Sequence, residues 1–324
     1  MAGETSTGAN AAHIIRSEVW SSQLKDILEE ELVEASKYVD WMTDFPDGTT
    51  FTIPSVGAAS VSNYVEDTAV GYTSLDKGEF QFTINKYIAA ATYITKKQRQ
   101  DSFYAAKLES MFVPKQARAI AEFVETNIFA LQSGQTASDP NTLNTANHRF
   151  VASGTSEVMT VNDFAYADFA LTKSNVPQTN RIAIVDPSVE FELSTLTNLT
   201  NVSNNPRWEG IIADKLGTGL KFSKNIYGFD VYVSKFLATG VNETITGASG
   251  AKTSGAGVAN LFFSADSSVL PFVGAWRQMP EVDSEYNKDF QREEYVTTAR
   301  FGTALYRPEN LVVVISDTDQ VTPG

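Results

Sequence analysis

Side chains able to do covalent or metal chemistry are few in this 324-residue chain, and none sits in a working constellation. Only two histidines occur, His13 in a small, polar leading stretch and His148 in an Asn- and Thr-rich segment. Neither has metal-ligand spacing, and neither has a nucleophile set beside it, as general-base catalysis requires. With no cysteine in the chain, thiolate nucleophiles, thiolate metal sites and disulfides are excluded. The run Gly247-Ala248-Ser249-Gly250-Ala251-Lys252-Thr253 has the lysine and hydroxyl of a phosphate-cradling loop, but Ala251 replaces the glycine that should precede the lysine. No strand-to-helix setting follows it, so it reads as a flexible loop. Gly217-Thr218-Gly219 lacks the third glycine of a dinucleotide fingerprint. Asp317 and Asp319 could hold a cation, although a solvated acidic end is the expectation. Glycosidase chemistry needs two carboxylates at a fixed separation, and the spacing here privileges no pair. The acceptor patterns at Asn198, Asn201 and Asn242 mean little without a secretion signal. Lys96, Lys97 and Arg99 form the one small basic cluster, read as the surface of a helix start. No cofactor and no metal are expected; a paired-carboxylate hydrolase stays as an alternative that a turnover screen would test.

Composition narrows the class. A chain of this length with 42% apolar residues can bury a real core, as one large domain or as two or three intertwined ones. No run of 18 apolar residues exists, and the leading residues carry no charged region followed by an apolar one, so neither a membrane span nor secretion is expected. The net charge of -14 argues against a surface that grips nucleic acid, because phosphate binding needs clustered Lys and Arg. A solvated acidic surface explains it, and so does a container whose inner wall must not adhere to packed DNA.

The elements follow from periodicity. Residues 1 to about 16 read as a flexible arm. Trp20, Leu24, Leu28, Leu32, Ala35, Val39 and Met42 recur at steps of three and four, which predicts an amphipathic helix from Glu18 to Met42. Phe45-Pro46-Asp47-Gly48 makes a turn into a strand over Thr49 to Ile53. Pro54 to Phe80 is polar and glycine-punctuated, poor in large aliphatics and flanked by strand patterns, so it reads as a long extended hairpin rather than a disordered loop. Tyr87 to Ile94 is a strand, Lys97 to Met111 a helix, and Pro114 opens a second helix with a stripe of Ala117, Ile120, Ala121, Val124, Ile128 and Leu131. Gln135 to Gly154 looks like a loop or a small excursion. Thr160 and Asp163 resemble a capping box for a helix to about Ser174. Arg181 to Val185 is a buried strand, and Asp186-Pro187-Ser188 starts a helix. Phe229 to Phe236 is a strand entered through Tyr227-Gly228, and Val241 to Val258 a flexible exposed loop. Ala259 to Phe263 and Val269 to Phe272 resume the sheet. The order is mixed α+β, with no βαβ repeat.

The closing stretch from Tyr286 to Ile315 is the most distinctive. Tyr295, Thr297, Ala299, Phe301, Thr303 and Leu305 fall on one face of a long strand, and Glu294, Thr298 and Arg300 on the other. The run exceeds the usual strand of about 5 to 6 residues, so part of it stands clear as a ribbon. Tyr306-Arg307-Pro308 then leads into a short apolar strand, Leu311 to Ile315.

Taken in order, these segments resemble a major capsid protein of a tailed bacteriophage, with the Johnson fold first seen in the Hong Kong phage coat. The arm and helix, the hairpin of Pro54 to Phe80, the spine helix after Pro114, the Arg181 to Pro187 strand, Tyr227-Gly228-Phe229-Asp230-Val231-Tyr232-Val233, and the long strand of Asp289 to Leu305 with its Tyr306-Arg307-Pro308 turn carry the resemblance. It implies an arm and helix over 1-48 and an extended loop over 49-84. It further implies a peripheral domain over 85-155 and 277-305, with spine helix and β ribbon, and an axial domain with a central mixed sheet over 156-276 and 306-324. It also implies a self-assembling icosahedral shell around double-stranded DNA, made in the bacterial cytoplasm and residing in the virion. The partners implied are hexamers and pentamers of the chain itself, a separate scaffolding protein, a portal, a possible decoration protein, DNA bound without sequence specificity, and no membrane. A nonviral, encapsulin-like compartment holding protein cargo is the alternative. Tyr64, Glu66, Asp67, Tyr72 and Lys77 in the hairpin, with Arg292, Glu293, Glu294 and Arg300 in the ribbon, are the expected contacts between copies. Lys77 is the only lysine in the hairpin, and no asparagine with a supporting carboxylate matches it, so no isopeptide cross-link is expected.

Overall fold

The computed structural model describes residues 35–42, 48, 50–56, 63, 66–67, 77–101, 105–136, 141–195, 222–243, 245 and 257–318. Fourteen strands and four α-helices are defined among them. The first half of the chain contributes β1 (Val39–Met42), β2 (Thr50–Val56), β3 (Lys77–Thr83), β4 (Lys86–Thr95), α1 (Lys96–Asp101) and α2 (Ala105–Ala130). There follow β5 (Thr142–Leu143), β6 (Ala146–Asn147), β7 (Arg149–Val151), α3 (Val161–Lys173), β8 (Arg181–Val185) and α4 (Pro187–Thr195). The second half adds β9 (Phe222–Ile226), β10 (Phe229–Val233), β11 (Gly257–Ser264), β12 (Phe272–Asn287), β13 (Arg292–Leu305) and β14 (Val312–Asp317). The class is mixed α+β.

Six strands build a mixed sheet in the order β7-β14-β11-β8-β10-β9. Its central strands are largely apolar because both faces are covered, and Asn260 inside β11 is satisfied by donating to the Val314 carbonyl (3.0 Å) and Ser316 Oγ (2.8 Å). All five residues of β8 are buried, as are all eight of β11 and all six of β14. One face packs Ala183, Val185, Phe262 and Val314 against Phe164 and Leu171 of α3 and Val189 and Leu193 of α4. The other turns Ile184, Phe263 and Val313 toward Ile120, Val124 and Ile128 of α2 and Phe301 of β13. A single core therefore joins this sheet to the second one. The hairpin between β9 and β10 turns on Tyr227 at φ 48° and Gly228 at φ 82°. Positive φ at both central residues is the turn whose twist matches paired strands, and glycine meets it at little steric cost. At the start of α3, the Asp163 carboxylate accepts from the Thr160 N–H at 2.7 Å, the expected reciprocal cap. Asp186 accepts from the Ser188 N–H (2.9 Å) and hydroxyl (2.6 Å) where α4 begins.

The second sheet has the order β1-β12-β13-β4. β12 and β13 form one long antiparallel hairpin, with β4 antiparallel on the outside of β13 and β1 parallel to the first four residues of β12. α2 lies across one side of it and runs for 26 residues, about 39 Å. β2 and β3 pair separately, from Thr50 opposite Thr83 to Val56 opposite Lys77.

Several expectations are corrected. The helix expected from Glu18 to Met42 ends differently: Ala35–Tyr38 is a 3-10 turn and Val39–Met42 a strand, because parallel pairing with β12 and stacking of Trp41 on Trp276 (5.0 Å) outweigh the helical spacing. Its residues 18–34 lie outside the described ones. Pro114 does not open a helix but sits inside α2. A proline there forfeits one backbone bond, a loss the packing of the helix on the sheet absorbs. Ala117 and Ala121, expected in the buried stripe, are exposed, and Gln116, Glu125 and Phe129 are buried instead. The segment 135–154 holds β5, β6 and β7, and β7 is an edge of the six-stranded sheet. Phe272 to Trp276 belong to β12 of the four-stranded sheet. Asp317, expected in a solvated tail, is 3% exposed at the end of β14; Asp319 lies outside the described residues. In the 241–258 loop, Val241 and Gly257 are tied by a backbone bond and Ile245 is buried, so the described part is anchored.

Candidate assembly surface

The ribbon of β12 and β13 is held by a rigid base. Gln116, buried on α2, donates through Nε2 to Thr92 Oγ1 (2.7 Å) and to the Tyr295 carbonyl (3.0 Å), and accepts from Thr297 Oγ1 (2.7 Å). One amide thus ties the helix to β4 and β13 together. Trp276 lies between Trp41 and Phe301, with ring centroids 5.0 and 5.1 Å away. Gly274 is where Trp41 passes so closely that a Cβ would come within 2.7 Å of the indole. Arg149 of β7 fixes the far end of the helix: its guanidinium reaches Gln132 Oε1 at 2.7 Å and both oxygens of Glu243 at 2.7 and 2.6 Å. A bidentate pair of this kind is directional as well as strong.

β13 shows the alternation read from its sequence. Thr297, Ala299 and Phe301 are buried toward α2, while Glu294, Thr298 and Arg300 fall on the opposite, half-exposed side. Most of the expected ribbon contacts already have partners within the chain. Arg292 Nε donates to Glu294 at 2.5 Å, and its guanidinium lies over the rings of Tyr93 (4.6 Å) and Phe290 (4.7 Å). Glu293 pairs with Arg99 of α1 at 2.8 Å. Arg300 stands opposite Gln278 and makes no ion pair among the described residues. In the hairpin, Glu66 and Asp67 form an exposed turn with Asp67 at φ 66°. Lys77 is the first residue of β3, opposite Val56, and Tyr64 and Tyr72 lie outside the described residues.

Sequence reasoning missed the outer limb of β12. From Met279 to Tyr286 every residue is exposed, so no burial alternation marks it as a strand. A signal was present in Glu281, Asp283 and Glu285, three carboxylates at a spacing of two. Exposed Tyr87, Tyr93 and Phe290 also belong to this surface.

A notch of about 330 Å³ at the ribbon's free end is lined by Thr95, Lys96, Arg99, Tyr286 and Glu293 and holds no nucleophile beside a base. Among the described residues no group of His, Asp and Glu could hold a metal ion. His148, expected in a polar loop, is fully buried. Its Nδ1 stands 3.1 Å from the Ala146 carbonyl and its Nε2 3.1 Å from Ser174 Oγ. Donation from Nδ1 to the carbonyl leaves Nε2 to accept from the serine, which is the neutral ring, and burial pushes its pKa below the ordinary value. No described helix is long and apolar enough to cross a membrane.

A family described as phage capsid protein matches this chain over residues 78–314. No curated protein sequence matches it. Solved structures do match at the level of fold. A chain from Mycobacterium phage Che8 is 17% identical, with 93% of this chain and 97% of that one covered and a TM-score of 0.63. The capsid of cyanophage P-SCSP1u gives 16% identity, 97% and 96% coverage and a TM-score of 0.69. The capsid of Ralstonia phage GP4 gives 12% identity, 99% and 100% coverage and a TM-score of 0.65.

Proposed function

The chain belongs to the phage capsid protein family, and from that premise we propose that it is the shell subunit of a tailed phage, assembling into a closed icosahedral container for double-stranded DNA. Its role is structural rather than enzymatic. The observation that carries the reading is likeness in fold to capsid chains, with more than nine-tenths of both partners covered. In this reading the six-stranded sheet is the axial domain, and the four-stranded sheet with α2 the peripheral domain. The hairpin rooted on β2 and β3 reaches across an adjacent copy, with Tyr64, Glu66, Asp67, Tyr72 and Lys77 along it. Arg300, with the Arg292–Glu294 and Arg99–Glu293 pairs, sits on the ribbon that meets neighbours. Hexamers and pentamers form from contacts that are each modest, and stability comes from their number. The chain is made in the host cytoplasm, assembles on a separate scaffolding protein around a portal, resides in the virion, and leaves room for a decoration protein outside.

Expression alone and with the neighbouring gene products, followed by negative-stain microscopy, tests this. Uniform hollow shells are expected. A chain that stays monomeric with every neighbouring product present refutes it. Deleting Val61 to Asp76 should leave a folded subunit that makes no shells; normal particles from that variant would remove the hairpin's role.

A further inference from the structure

The four-stranded sheet has two unlike edges. Beyond Ala275 β12 loses β1 as a neighbour, and no described strand pairs with its outer edge up to Asn287. Glu281, Asp283 and Glu285 stand exposed on that limb, on the sheet face turned away from α2. Their spacing of two sets the carboxylates about 7 Å apart in one column. None has an ion pair among the described residues. Glu285 lies directly opposite Glu294, whose carboxylate already takes Arg292 and Asn287. Like charges facing each other across strands repel, and no cation of the limb relieves this: Arg277 lies at its root and Lys288 in the turn past its end.

At the other edge, β4 also lacks a second strand among the described residues. Tyr87, Ala89, Ala91 and Tyr93, uncharged and exposed, share the sheet face of the acidic column, and the chain continues directly into Lys96 and Lys97, both exposed and without an ion pair among the described residues. A long strand edge whose one charge, Lys86, stands at its start is a surface that proteins normally cover. β13 lies between the two edges.

Resting on the shell reading, we infer that these edges meet between copies: the Glu281–Asp283–Glu285 column of one subunit docks beside β4 and against Lys96 and Lys97 of the next. Two different surfaces in contact make a head-to-tail interface, which repeats around a ring until it closes. Charge complementarity of this kind sets register and partner orientation, and salt weakens it.

The absence of native cysteine gives a clean test on assembled shells. Asp283→Cys and Lys97→Cys are placed in one chain and treated with a short bis-maleimide. Covalent multimers climbing beyond the dimer are expected from the double variant, and none from either single variant. Shells whose double variant stays monomeric overturn the inference while leaving the shell reading intact, and so do dimers from one single variant, which would mean a two-fold contact. If the unaltered chain makes no shells with its neighbouring gene products, the shell reading falls and takes this inference with it. In parallel, reversing all three carboxylates to lysine should lower shell yield at least about tenfold. Adding Lys96→Glu and Lys97→Glu to the same chain should restore it. A reversed variant that assembles like the unaltered chain also overturns the proposal.

Discussion

Replacing Gln116 with leucine tests whether one buried amide holds the long helix to the sheet that bears the ribbon. Gln116 is 3% exposed and Thr297 1% exposed, so no water replaces their mutual bond. Leucine keeps most of the volume and removes three hydrogen bonds, those with Thr92, the Tyr295 carbonyl and Thr297. Thr92 is half-buried and its hydroxyl can turn toward solvent. The Thr297 hydroxyl cannot, and a buried polar group left without its partner costs about 1 to 3 kcal/mol. Adding roughly 1 kcal/mol net for each bond to Thr92 and Tyr295, and subtracting what the apolar side chain regains, leaves a loss of about 3 kcal/mol. At about 2 to 4 °C per kcal/mol for a chain of this size, the melting midpoint should fall by roughly 6 to 12 °C. Urea and thermal unfolding of the dispersed subunit measure it. Thr297→Val in the same chain removes the stranded hydroxyl and should return about 1 kcal/mol, a coupling that a double-mutant cycle isolates. A loss under about 1 kcal/mol for Gln116→Leu, or two variants whose costs simply add, refutes the reasoning.

Other consequences follow from the same geometry. His148 has its folded pKa pushed below the ordinary 6.5 by burial, so the unfolded chain binds the extra proton first. Its contribution to stability is therefore full above about pH 6.5 and lost as pH falls through the folded value; melting curves between pH 8 and 5 should decline more steeply for the native chain than for His148→Gln, and parallel curves would contradict this. Gly302→Ala puts a Cβ 2.8 Å from the Ile84 Cα and 2.8 Å from the Thr83 carbonyl oxygen, backbone that cannot swing aside. It should cost about 2 kcal/mol or more by urea unfolding. Asp163→Ala strands the N–H groups of Thr160 and Ser153 at the head of α3 and should cost about 1 to 3 kcal/mol by the same assay.

The sequence by itself determined the elements whose burial is written in their own local pattern. β8, β11 and β14 were legible because burial on both sides demands largely apolar runs, α3 because its cap chemistry is local, and β13 because one side packs on α2 while the other does not. It also set the overall class and the resemblance to shell subunits. Tertiary structure decided the rest, where long-range partners override local preference. Val39–Met42 is a strand because β12 lies beside it, and the end of a helical stripe is equally compatible with that pairing. α2 passes through Pro114 because the sheet supports it. His148 is buried because β7 closes one edge of the central sheet, which nothing in its polar neighbours announces. The outer limb of β12 carries no burial pattern, since both its faces are open. Only the register that pairs Glu285 with Glu294, and seats Arg292 and Arg99 on their own carboxylates, separates charges satisfied within the chain from those left for another copy. Strand pairing across nearly 200 positions is set by the free energy of the assembled core, and no local window of residues contains it.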